Sequence, residues 1–170
     1  MNDREALEYT ALRDTIRSRG TARVWVFLAG IALWAGAVLA TLALGPIPAT
    51  SLVPLVVLGA SFEAVFALHA GVERIGRYLQ VFFGDRWEET AMAFGPPLAG
   101  TGSDPLFAVY FIFAALLNVG PITVAQPVPA EWAVLGAAHA LFIARVLYAR
   151  QASSRQRAAD LERFTLLHRR

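Results

Sequence analysis

Apolar positions along the chain gather into four runs separated by segments of alternating character. The first run, Val24 to Leu44, holds 21 residues without a charge. At about 1.5 Å rise per residue this matches a hydrocarbon core of roughly 30 Å. Gly45-Pro46-Ile47-Pro48-Ala49-Thr50-Ser51 combines helix breakers with turn formers, so the chain reverses there and re-enters at Leu52. The second run, 52–70, is interrupted by Glu63, and its helical pattern continues past the apolar part through Glu73, Arg74, Arg77 and Tyr78 to Phe83. Between Gly84 and Asp104 the residues turn to charge, Gly and Pro, which suits a long connecting loop. Ser103 or Asp104 can cap the next helix, with Pro105 in its first turn. The third run, 106–124, has Asn118 as its one strongly polar side chain and Gly120-Pro121 to kink or fray its last turn. A second Pro-containing turn, Ala125-Gln126-Pro127-Val128-Pro129, leads into the fourth run from Trp132 to Tyr148, whose terminal aromatics suit the two membrane interfaces.

Charge placement orients these runs. The pattern predicts a short amphipathic helix in residues 1–23, with Tyr9, Leu12 and Ile16 at helical spacing and Gly20 as its end. Residues 149–170 form a basic, helical tail. Five Arg precede the first run, three fall in the middle segment (Arg74, Arg77, Arg86) and six follow the fourth, while both Pro-containing turns have none. Since positive residues favour the cytoplasmic side, only an even number of spans puts all three basic segments on one face. The expected architecture is all-α: an integral membrane four-helix bundle of two tandem transmembrane hairpins, in residues 24–148, with amphipathic cytoplasmic helices at both termini. It belongs in the plasma, or inner, membrane with both ends cytoplasmic.

Composition agrees with lipid as the solvent: hydrophobic residues make up 56% and charged residues only 16% of the 170. All fifteen basic residues are Arg, and a net charge of +2 is too small to suggest nucleic-acid binding. Without Cys there are no disulfides, thiolate metal sites or thiol nucleophiles. The first apolar run starts only at Val24 and is too long for a signal core, so it is expected to stay as an anchor.

Lipid gives no hydrophobic drive between helices, so small residues at spacing four and polar contacts must hold the bundle. Ala32, Gly36 and Ala40 form one such row and Gly136, Ala140 and Ala144 another, read as packing within the bundle in preference to a homo-oligomer interface. A weak repeat, Gly45-Pro46-Ile47 with Pro54 against Gly120-Pro121-Ile122 with Pro129, would relate the hairpins by a pseudo-two-fold axis. Glu63 is the sharpest polar signal, because an acidic side chain near the bilayer centre costs about 3 kcal/mol on insertion scales. Counted from the outer helix ends, Arg145 lies within about 3 Å of its depth at helical rise, so a Glu63 to Arg145 pair is possible. His139 and Asn118 sit at a shallower, mutually similar level and can complete a polar layer. His69, Glu73, Arg74 and Arg77 form a charge stripe at the cytoplasmic end of the second helix, either solvated or a docking surface for the long loop, a lipid headgroup or a partner.

No catalytic constellation emerges. His69 and His139 are offset by about 15 Å along their helices, too far for a bis-His haem. His69 and Glu73 would supply only two metal ligands, so neither a cofactor nor a metal is expected. Glu88 and Glu89 read as solvated loop carboxylates, and Gly100-Thr101-Gly102 as a turn. The preferred function is an accessory or scaffold subunit of a membrane assembly, with a protein partner sought first at Arg74 to Phe83. The rival is a proton- or ion-conducting unit in which Glu63 titrates and His139 relays, and a membrane enzyme comes third.

Overall fold

The computed structural model describes residues 2–45, 47–94 and 104–169. It is all-helical, with no strand among the described residues. Helix α1 (Asp3–Ala43) opens with a reciprocal cap: the Glu5 amide donates to Asn2 Oδ1 and the Asn2 amide to Glu5 Oε2, both at 2.8 Å. At 41 residues α1 is about 62 Å long, and it runs straight through Gly20, where the sequence predicts its end. One glycine costs a helix about 1 kcal/mol relative to Ala, too little to stop it when helical residues flank both sides. Gly45, at φ 92°, then begins the turn, and a single 3-10 turn (Pro48–Ser51) leads into α2 (Leu52–Phe83).

The expected 84–104 loop contains a helix. Gly84 ends α2 in the left-handed conformation, and Asp85 at once accepts the Trp87 amide at 3.0 Å, starting α3 (Arg86–Phe94). The predicted turn at Gly100-Thr101-Gly102, and Ser103, lie outside the described residues. Asp104 accepts the Leu106 and Ala108 amides, but it holds a turn and is not the helix cap: left-handed Phe107 (φ 51°) takes the capping position, α4 starts at Ala108, and Pro105 stands before the helix instead of in its first turn.

The third apolar run is two helices, α4 (Ala108–Leu117) and α5 (Val119–Val124), and the break falls at Asn118 rather than at Gly120-Pro121. Helix α6 (Pro129–His168) takes in both the fourth run and the basic tail without interruption. Among the described residues three helices are therefore long and apolar enough to cross a membrane: α1, α2 with its preceding turn, and α6. The 108–124 pair is shorter, about 26 Å at helical rise.

Helix α2 lies at the centre, with α6 parallel beside it and α1 and α4 antiparallel, so the molecule has a turn end and a basic end. Leu58, Phe62 and Val65 of α2 meet Phe111 and Ala115 of α4 and Phe142 and Val146 of α6, all buried. Phe62 packs edge-on against Phe111 and Phe142, with centroids 5.3 and 6.3 Å away. Helix α1 contributes Phe27, stacked on Phe107 at 4.2 Å, but Gly30 is its one buried residue. Trp25, Leu33 and Leu39 are each about two-thirds exposed, an apolar surface that calls for lipid or protein rather than water.

Close packing does not use the expected small-residue rows. Nothing lies within 4 Å of where a Cβ on Gly36 or Gly136 would sit, and Ala32, Ala40, Ala140 and Ala144 are exposed. Tight contacts occur elsewhere, among them Gly30 against Ser61, where an added Cβ would stand 2.5 Å from Ser61 Cβ. The four-position repeat also fails to carry into structure, since Gly45 occupies a turn and Gly120 lies inside α5.

Candidate functional site

The residues singled out from sequence fall into separate clusters at different heights rather than into one layer. Nearest the turn end, Asn118 closes α4 and turns its side chain inward, fully buried. Its Nδ2 donates to the Ser51 carbonyl at 3.0 Å and lies 3.1 Å from His139 Nε2. Because an amide nitrogen only donates, His139 Nε2 accepts, and Nδ1 carries the hydrogen given to the Leu135 carbonyl at 2.8 Å. Three elements are thus tied together, while Asn118 Oδ1 has no partner among the described residues.

Glu63 and Arg145 do meet, the guanidinium donating to Glu63 Oε2 at 2.8 Å. The pair is on the outer flank of α2 and α6, not inside the bundle: the side chains are 49% and 37% exposed. Arg145 leans over Phe66, 5.0 Å from the ring centroid. Neither residue bonds to His139 or Asn118, and the Phe62 and Phe142 rings fill the core beside them. The polar layer expected from depth alone is therefore two unconnected features.

Towards the basic end the expected charge stripe divides: His69 and Arg77 are buried, Glu73 is half-buried and Arg74 stays exposed. His69 is buried, its Nδ1 accepting from Arg23 Nη1 at 3.1 Å. Glu73 pairs with Arg157 at 3.6 Å and Arg74 with Asp160 at 3.4 Å, joining α2 to α6. The polar cavity between His69, Glu73, Ser153 and Arg157 measures about 10 Å³, room for no more than a single water. Among the described residues no three His, Asp or Glu side chains converge as a metal would need.

Beyond this, α3 brings in Glu88, a carboxylate expected to be solvated. Glu88 is buried and bridges Arg77 and Arg13, each at 3.1 Å, while its neighbour Glu89 is exposed. Arg13 also reaches Asp85 at 2.8 Å, and Tyr9 donates to Asp85 at 3.1 Å. Burial opposes the charge of Arg13, but the Tyr9 hydrogen bond and the two carboxylates outweigh it and hold the guanidinium above its ordinary pKa. Tyr78 donates to Glu8 at 2.7 Å, and that acceptor raises the phenol pKa. Gly76 leaves space for this network, since a Cβ there would approach Glu88 Oε2 to 2.8 Å.

The segment Arg74 to Phe83, expected to face a partner, is thus largely covered by the chain's own α1, α3 and α6. Phe82 meets Phe164 and His168, and Phe83 meets Tyr9. Asp85-x-x-Glu88 was the missed signal, an acidic cap followed three residues later by Glu, directly after a helix-ending Gly. Arg13, its partner across the chain, carries no such local mark.

No protein-family model, curated protein or solved structure matches this chain.

Proposed function

We propose that the chain is a four-span membrane protein of the plasma (inner) membrane, with both termini in the cytoplasm, serving as a structural or accessory subunit of a membrane assembly. In this reading α4 and α5 together make the third span, within the range of about 17–25 residues that a bilayer requires. The basic end, where α1, α2, α3 and α6 pack through ion pairs, is the cytoplasmic part. One observation carries the functional choice: His69, Arg77, Glu88, Asn118 and His139 each bond to a group on another element as clasps, while Phe62, Phe111, Phe142, Leu58 and Val65 close the middle of the bundle. A conduction path would need polar groups linked through that region, and Glu63 stands outside it.

Topology is open to direct measurement because the chain has no Cys. Single cysteines replacing Thr50 and Gln126 are expected to react with a membrane-impermeant maleimide in intact cells, and cysteines replacing Ser18 and Ser154 only after lysis. Labelling of Ser18→Cys in intact cells would overturn the orientation. For function, proteoliposomes carrying the protein and an imposed pH gradient should lose that gradient no faster than empty vesicles. A flux at least ten-fold above empty vesicles, abolished by Glu63→Gln in folded protein, would replace the structural reading with conduction.

A further inference from the structure

We propose that the α2/α6 flank bearing Glu63 and Arg145 is the surface on which a second copy of this chain docks, in a parallel two-fold dimer whose two ion pairs merge into one four-membered cluster. The inference rests on the membrane reading above, since in water an exposed ion pair needs no further partner. Glu63 lies six residues nearer the turn end than His69, about 9 Å at helical rise, and therefore within the hydrocarbon region on that reading. Among the described residues, Arg145 Nη2 to Glu63 Oε2 is the one hydrogen bond that either side chain makes. A carboxylate accepts through both oxygens and a guanidinium has five N–H donors, so one hydrogen bond leaves most of this capacity unused on side chains that are 49% and 37% exposed, and lipid tails offer it nothing.

Symmetry supplies what is missing. Helices α2 and α6 run side by side and parallel, so the direction from Glu63 to Arg145 lies across the flank. A two-fold axis along the bundle keeps the height of every atom and reverses every direction across the flank. Each carboxylate then faces the other copy's guanidinium at its own depth. The pair is neutral and complementary to itself, so this geometry requires no partner of different charge. The neighbouring positions permit close approach: Ala60 and Ala67 of α2 and Ala144 of α6 are small and exposed, and Leu141 beside them is 71% exposed.

Cysteine cross-linking of the full chain in native membranes tests the interface. Cysteines replacing Ala60, Ala67 and Ala144 one at a time should give disulfide-linked dimers under mild oxidation at one position or more, whereas Val109→Cys, exposed on α4, should stay monomeric. On the cross-linking background, Glu63→Arg should reduce dimer at least ten-fold, and the exchange Glu63→Arg with Arg145→Glu should restore it. Absence of cross-links at all three flank positions, or equal cross-linking at Val109→Cys, overturns the proposal. So does a folded exchange variant that fails to recover. A purified monomer retaining anionic phospholipid that Arg145→Gln releases would make a headgroup the occupant, and also overturns it. Because the maleimide labelling reports membrane topology separately, failure of the dimer and failure of the membrane reading are distinguishable.

Discussion

Replacing Glu88 by Ala should destabilise the basic end of the bundle by about 3–5 kcal/mol, the usual cost of removing one partner from a buried ion pair. The Glu88 and Arg77 side chains are only 12% and 6% exposed, and without Glu88 the Arg77 guanidinium keeps Gln80 as its hydrogen-bond partner but no carboxylate among the described residues. Arg13 suffers less, because Asp85 still holds it at 2.8 Å. Thermal unfolding in mild detergent reads the loss, and faster tryptic cleavage after Arg86 shows that α3 has detached. The double variant Arg77→Leu with Glu88→Leu should recover most of the stability, since apolar replacement of both partners removes the desolvation cost together with the attraction. Glu89→Ala, on the exposed side of the same helix, should stay within about 0.5 kcal/mol of the parent. If Glu88→Ala and Glu89→Ala unfold alike, the network does not hold α3 in place.

Gly30→Ala should destabilise the α1–α2 contact by about 1–3 kcal/mol, the range for forcing extra volume into a packed site, and Gly30→Leu should cost more. Helix propensity works in the other direction, favouring Ala over Gly by about 1 kcal/mol, so a net loss requires the contact to be tight. The new Cβ would stand 2.5 Å from Ser61 Cβ, an atom fixed to the α2 backbone that cannot swing aside. Ser61→Gly should therefore rescue Gly30→Ala. Gly36→Ala, with nothing within 4 Å, should be neutral or gain up to about 1 kcal/mol. Melting temperatures of the four variants in one detergent decide the matter: rescue absent, or Gly36→Ala as damaging as Gly30→Ala, would place the close approach elsewhere.

Much of what this chain becomes is readable along one dimension. Runs of apolar residues set the helices, Gly45 and the Pro-containing segments set the turns, and counting residues at constant rise put Glu63 level with Arg145, which do meet at 2.8 Å. Height along a helix follows from sequence position because each residue adds the same rise. Rotation about the helix does not, where several faces look alike. Helix α1 offers Gly30, Ala32, Gly36 and Ala40 as small residues, and only the position of Ser61 on its neighbour selects Gly30. For the same reason sequence brought Glu63 to its partner and yet left it inside the bundle, whereas the packing of Phe62 against Phe111 and Phe142 turns it to the outer flank. Glu88 looked like a solvated loop residue until α3 folded back on α2 and met Arg13, seventy-five positions away. Sequence determined which stretches are helical and apolar and the level of a group along its own helix, because these depend on local geometry, but the length of α1, the existence of α3 and the break at Asn118 came from tertiary contacts. Which groups face one another, and which face outward, was decided only when the helices chose their neighbours, because azimuth is set by contacts between segments far apart in the chain.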